Sequence, residues 1–368
     1  MLSRRFSSCL IALYVVTVPG CAPSAPALVA PQVSAIDQAV ETTVVGKATG
    51  VVLVAQRGRV LYRRAVGSAR YPQIATPTQQ TAFDLASISK TFTAVAVLRL
   101  VDQGLLDLNA PLKRYLAELP DDDITLDHAL SHNTGWPQYL SGDDQTPKTS
   151  AEVLREIASL KRAKPAGSGY LYSDVGFVAL ALVVERATGL PFPQALRRLV
   201  IEPARLRSTG FYGDPRWTRQ PVAFEYVRGE AKGSPGTFHY TWNLAGTGQV
   251  VTTADDLRRF LEAVTRGGLL SATSREYMLG AGVSTGGRRP YKSEDVQNVT
   301  YRAGLFHWND RKGRRVHFHG GANEYGAHAV MFWRQEDDLF VTGLFNSGMM
   351  DESFDRAMFI NAVLASFD

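Results

Sequence analysis

The chain has 368 residues, 45% hydrophobic and 20% charged, with a net charge of +5. Those proportions exclude a disordered chain, a collagen-like repeat and a coiled coil. The mild positive excess has no concentrated basic arm, so the charge pattern does not point to nucleic acid.

The N-terminus reads as an export signal over residues 1–20. Arg4 and Arg5 form a positive region, and an apolar run of residues 9–18 follows, too short to span a bilayer as a helix. Val18-Pro19-Gly20-Cys21 resembles a bacterial lipobox, which implies lipidation at Cys21. Ala25-Pro26-Ala27 offers the competing site of ordinary signal cleavage. Either route places the protein outside the cytoplasm, in the bacterial cell envelope. The lipidated form would be held at the membrane and face the periplasm. Residues 21–32 are rich in Ala and Pro and read as a tether. The chain's two cysteines, Cys9 and Cys21, both precede the body. That excludes a disulfide framework, a cysteine-based zinc site and a cysteine nucleophile there.

The body, residues 33–368, reads as one composite domain. Val33, Ile36, Val40 and Val44 recur at helical spacing. Residues 50–67 form a hairpin turning at Arg57-Gly58. Residues 87–103 form a buried helix ended by Gly104. Helices follow at 151–160, 175–187 and 254–265. Four strands are expected at 301–308, 314–319, 327–333 and 339–345. A final helix at 352–367 is expected to bury Phe354, Met358 and Val363. Strands at both ends and helices between them give an α+β fold. Its antiparallel sheet is formed from both chain ends, about 33–98 and 298–368, and a mostly helical part covers about 99–297.

The chemistry starts at Ser87-Ile88-Ser89-Lys90. A serine hydroxyl is a poor nucleophile until a base takes its proton. Residues three apart on a helix share a face, so Lys90 lies beside the Ser87 hydroxyl. A helix start also aims free backbone N–H groups at that point. Lysine acts as a base there when burial or a neighbouring charge lowers its pKa. The motif alone is weak, because a capping serine and a surface lysine give the same spacing. The apolar run behind Lys90, from Phe92 to Leu98, argues for a buried lysine instead.

The stretch from Phe83 to Ala94, Thr125 to Gly135, Pro165 to Gly176, and His317-Phe318-His319-Gly320-Gly321-Ala322-Asn323 form four blocks in order. Together they resemble the class C β-lactamase-like serine hydrolases, a group related to penicillin-binding proteins. The resemblance implies a β-lactamase/transpeptidase-like fold. It implies Ser87 as nucleophile, Lys90 assisting its deprotonation, and Tyr172 exchanging a proton as a phenolate. The backbone N–H groups of Ser87 and Ala322 would form the oxyanion hole. His319, Gly320 and Gly321 would line the site, and residues 136–139 would wall the substrate pocket. No metal or organic cofactor is implied.

Two positions depart from the family pattern. Asp174 stands where the second motif has an amide, adding a negative charge that can stabilise Lys90 or attract a substrate amine. His319 and Gly320 replace the Lys-Thr pair that helps hold a β-lactam carboxylate. The expected substrates are therefore a small ester, then a peptide-like amide with a D-amino acid, then a β-lactam, with cell-wall fragments among the candidates. A slowly acylating penicillin-binding sensor or cell-wall binding module is the alternative. Gly282-Val283-Ser284-Thr285-Gly286 also matches the nucleophile elbow of α/β-hydrolases, but its neighbours read as neither strand nor helix. His317 and His319 lack the acidic partner that a metal pair would need.

Overall fold

The computed structural model describes residues 30–67, 75–347 and 354–368. The export signal, Cys21 and most of the tether lie outside them. The first described element, helix α1 (Ala30–Thr43), begins three residues before the expected body. Its apolar stripe is real, with Ile36, Val40 and Val44 fully buried.

Strands β1 (Gly50–Gln56) and β2 (Arg59–Val66) form the expected hairpin. Arg57 and Gly58 both take positive φ, which suits the twist of a two-residue turn. Then come β3 (Phe83–Asp84), a single 3-10 turn at Ala86–Ile88, and helix α2 (Ser89–Asp102). The helical part holds α3 (Leu126–Leu130), α4 (Ser150–Ser159), α5 (Asp174–Thr188) and α6 (Phe192–Leu196). Short strands β4 (Gly210–Phe211), β5 (Glu225–Val227), β6 (Glu230–Gly233) and β7 (Val250–Thr252) follow, then α7 (Ala254–Thr265) and α8 (Ala272–Leu279). The chain closes with β8 (Val283–Ser284), β9 (Thr300–Arg302), β10 (Leu305–Asn309), β11 (Arg315–Ala322), β12 (His328–Arg334), β13 (Leu339–Phe345) and α9 (Arg356–Ala365).

The main sheet is antiparallel, with order β2-β1-β13-β12-β11-β10-β9-β8. The two chain ends meet near one edge of it, since Gly50 pairs with Phe345 and Gln56 with Leu339. Strands β12 and β13 are buried along their whole length, so helices must cover both faces there. Helices α1 and α9 pack together, while α7 lies on β1 and β13. Helix α5 is buried continuously from Val175 to Val184 and forms the centre of the helical part. Ser173 caps its start and Gly189, in the left-handed region, ends it.

Three expectations change. The strand at 301–308 is a hairpin, because Ala303 and Gly304 both take positive φ and reverse the chain. The sheet extends past the expected boundary at 298, since β8 pairs Val283 with Tyr301. Met358 is 56% exposed, whereas Phe354, Phe359, Ile360 and Val363 are buried. The segment 282–286 holds the two-residue edge strand β8 and no following helix, so it lacks the frame of a nucleophile elbow.

Candidate active site

Ser87 sits in the 3-10 turn that runs into α2. Ala86, just before it, holds a positive φ of 43°, a strained conformation for a residue with a Cβ. Asp84 supports that turn by accepting from the Ala86 N–H at 2.9 Å. The small sheet β3-β7-β4 supports it from behind: Leu85 donates to Val250 and Ser89 Oγ accepts from the Val250 N–H. This arrangement brings residues 247–249 to the site, a contribution with no local signal in the sequence.

Lys90 is fully buried, and its Nζ donates to Ser87 Oγ at 3.0 Å and to the Thr247 carbonyl at 3.2 Å. The Tyr172 hydroxyl donates to the same Ser87 oxygen at 3.0 Å. Asp174, at the first turn of α5, places Oδ1 2.8 Å from Lys90 Nζ. Thus two segments distant in sequence meet at one hydroxyl, and a third, at Thr247, holds the lysine beside it.

The charges differ from expectation. Burial works against the Lys90 ammonium, but the attraction and hydrogen bond of the Asp174 carboxylate, with Tyr172 acting in the same direction, hold Lys90 above the ordinary lysine range. Burial raises the Tyr172 phenol; Lys90 works against that rise and Asp174 adds to it. The resting site therefore holds a charged lysine and a neutral phenol rather than a phenolate. The acid at position 174 contributes to both effects.

The third block lies behind the nucleophile. A Cβ on Gly321 would stand 1.9 Å from the Leu85 carbonyl oxygen, so only glycine lets β11 approach the Ser87 turn this closely. Asn323 donates its N–H to Ala327, so the preceding Ala322 N–H points away from β12, and β11 packs against the Ser87 turn. The Ser87 N–H, in the first turn of its helical segment, has no intrahelical partner either.

His319, Gly320 and Gly321 are not cavity-lining residues, contrary to expectation. The His319 ring is fully buried, and Nδ1 must donate to the Gly320 carbonyl at 2.8 Å because that oxygen can only accept. Burial and the Lys90 charge press its pKa down to about 3, so it is neutral. The guanidinium of Arg356 packs over Gly320, so a side chain there would have to displace it. His317 turns to His307, Nδ1 to Nδ1 at 2.9 Å. Among the described residues no cluster of His, Cys, Asp and Glu could hold a metal ion.

Ser87, Tyr172, Asp174 and Ala322 open onto a cavity of about 710 Å³. Gln138 and Tyr139 wall it, whereas Trp136 is buried beneath. The sequence reading missed Asp84, Asp144, Tyr212, Asn323 and Glu324, which also line it. Asp84 and Asn323 stood inside the quoted blocks, next to the turns they support. Asp84 accepts from Tyr212 and Asn323 at 2.7 Å each, and burial raises its pKa to about 6.

A family model described as beta-lactamase matches residues 36–365. The chain belongs to the beta-lactamase family. Penicillin-binding protein 4* of Bacillus subtilis is 25% identical over 302 residues, covering 77% of this chain and 65% of that protein. Esterase EstB of Burkholderia gladioli is 32% identical over 259 residues, covering 58% of this chain and 64% of that protein. The chain thus spans just under two thirds of these curated relatives. Among solved structures, a D-stereospecific amidohydrolase from Streptomyces superposes with a TM-score of 0.69 at 22% identity, covering 90% of this chain and 98% of that one. The octameric penicillin-binding protein homologue of Pyrococcus abyssi gives 0.73 at 20%, covering 91% and 76%. These likenesses show that this beta-lactamase family member has the α+β fold expected from its sequence.

Proposed function

We propose that the protein is a serine hydrolase that cleaves small esters or peptide-like amides through an acyl-enzyme at Ser87. The observation that carries this reading is the single oxygen, Ser87 Oγ, within 3.0 Å of both Lys90 Nζ and Tyr172 OH at the edge of a cavity. The Ser87–Lys90–Tyr172 unit first loses a proton, which belongs to the coupled group rather than to one residue. Ser87 then passes its own proton to that unit as Oγ bonds the substrate carbonyl carbon. The N–H groups of Ser87 and Ala322 hold the developing oxyanion. The carbon–heteroatom bond breaks and the leaving group takes the proton. Water repeats the sequence on the acyl-enzyme and restores Ser87.

The names of the relatives support this range of chemistry, since they include an esterase, a D-stereospecific amidohydrolase and a beta-lactamase of Escherichia coli. Esters and amides rank ahead of β-lactams, because Gly320 and the neutral, buried His319 supply no positive charge for a β-lactam carboxylate. Arg4, Arg5, the apolar run and Cys21 support export to the cell envelope with a lipid anchor.

Intact-protein mass spectrometry with a fluorophosphonate and with a labelled penicillin tests the assignment, on wild type and Ser87→Ala. Stoichiometric fluorophosphonate labelling and p-nitrophenyl ester turnover are expected, both lost in the variant. Labelling with stalled turnover would move the protein to the slowly acylating sensor class. Absence of labelling at Ser87 would refute the nucleophile.

A further inference from the structure

The cavity carries an unusual charge distribution. Five carboxyl groups line it: Asp84, Asp143, Asp144, Asp174 and Glu324. Among the described residues no lysine, arginine or histidine does. Lys90 lies below the surface, fully buried, and is already paired with Asp174. This negative region belongs to a molecule with a net charge of +5, so it is a local feature.

These acids come from separate parts of the chain. Asp84 precedes the nucleophile turn. Asp143 and Asp144 belong to the loop before α4, and Glu324 to the turn between β11 and β12. That loop is held in place across the chain, since Asn243 donates to the Asp143 carbonyl at 2.7 Å and Thr241 to the Asp144 carbonyl at 2.7 Å. Burial and then repulsion from Glu324, Asp174, Asp143 and Asp84 raise the Asp144 pKa to about 6. Apart from Asp174, which Lys90 neutralises, the carboxylates press on one another with no lysine, arginine or histidine among the described lining residues to relieve them.

The rest of the lining provides a second, independent pointer. Tyr139, Tyr172 and Tyr212 line the same cavity, beside the apolar Leu140 and Leu244. The Tyr172 ring already has the Lys90 ammonium 5.1 Å from its centroid, and Tyr212 is buried, so the exposed Tyr139 is the ring open to a ligand. Aromatic faces attract cations through their quadrupole, most of all organic ammonium groups. A divalent metal fits less well, because no described acidic cluster has metal-binding geometry.

We propose that the cleft selects substrates bearing a cationic amine, such as esters or amides of amino acids with a free ammonium group, over substrates bearing a carboxylate. The inference rests on the hydrolase reading for its reaction, and names the substrate class of that site. The ammonium lies among Asp144, Glu324 and the Tyr139 ring while the carbonyl reaches Ser87. A carboxylate in that position meets uncompensated repulsion.

Two measurements on the full chain test this. The first is binding of 4-phenylbutylamine and of 4-phenylbutyrate to Ser87→Ala by calorimetry at low salt. The amine is expected to bind at least about tenfold tighter, with the difference shrinking as salt rises. The second compares wild-type kcat/KM on p-nitrophenyl esters ending in an ammonium, a methyl or a carboxylate group, with the order falling in that sequence. Asp144→Asn combined with Glu324→Gln is expected to reduce the amine-to-carboxylate ratio about tenfold. Glu276→Gln, on the exposed surface of α8, makes a charge change outside the cleft and should leave the ratio intact. Equal binding of the two ligands, or tighter binding of the carboxylate, would overturn the proposal whatever the turnover. An amine preference in Ser87→Ala with no turnover of any ester by wild type would sustain it and overturn the hydrolase reading instead.

Discussion

Asp174→Asn removes the carboxylate that sits 2.8 Å from the buried Lys90 ammonium. Coulomb attraction at that separation is about 6 kcal/mol at an effective dielectric constant of about 20. The measured effect will be smaller, because a buried ammonium stripped of its partner loses its proton rather than stay charged. An opposite charge at this range ordinarily moves a pKa by about 1–3 units. The sign follows from the form that Asp174 favours: the carboxylate stabilises charged Lys90, and an amide does not. Without it the Ser87–Lys90–Tyr172 unit gives up its proton at lower pH. The rising limb of kcat/KM for a neutral p-nitrophenyl ester is therefore expected to move toward acid by about 1–3 units. The assay is a pH–rate profile of both proteins, with Tyr172→Phe alongside to show whether the phenol contributes to the limb. Its position, unlike its height, is insensitive to a general loss of activity. A limb that stays in place, or moves to higher pH, would refute the assignment of Lys90 as part of the titrating unit.

Three further outcomes follow from the same geometry. Gly321→Ala forces β11 away from Leu85 and should cost about 1–3 kcal/mol with a disproportionate loss of kcat; unchanged urea unfolding and unchanged kcat would show that the contact yields freely. Asp144 takes its proton at about 6, so KM for an ammonium-bearing ester should fall as pH rises through that value, while KM for the uncharged ester does not follow it. Asp144→Asn should remove that step, and an unchanged profile would contradict the charge argument. Phe92 stacks on Phe260 with centroids 3.8 Å apart, two residues after Lys90. Phe92→Ala should lose about 3–5 kcal/mol in denaturant unfolding, and a loss under about 1 kcal/mol would mean the cavity collapses readily.

Local pattern carried the reading far where the information is itself local. Ser87 and Lys90 are three apart on one turn, and the stripe of Ile36, Val40 and Val44 buries as its spacing demands. Helix 254–265 was legible to the residue, because its apolar positions are separated by charges. Failures came where the signal is relational. Ala303 and Gly304 lie in an apolar run with one glycine as the only turn cue, and they reverse because Gly304 must press against Thr91: its carbonyl accepts from Thr91 Oγ1 at 2.7 Å. Met358 was misplaced because α9 is apolar on nearly every side, so periodicity gives no firm phase. Asp144 and Glu324 escaped notice since nothing in their own segments marks an acid that faces another across a cavity. The charge state of Lys90 was equally hidden: it depends on how closely Asp174 approaches, which spacing along the chain does not give.

The two ends of the chain meet in the sheet, and that has a consequence for synthesis. Thr49 bonds Ser347 across 298 residues, and Asp84 bonds Asn323 across 239. A ribosome releases the chain from the N-terminus, so Ser87 emerges long before β11, which carries Ala322. Until β11 arrives the proposed nucleophile lacks the Ala322 donor of its proposed oxyanion hole, and until β13 arrives β1 presents an unpaired edge. On the proposed mechanism the nascent chain is therefore inactive, and its open edge invites unwanted strand pairing, for most of its synthesis. A stop codon anywhere before β11 would leave Ser87, Lys90 and Tyr172 in the product and still remove part of the proposed machinery.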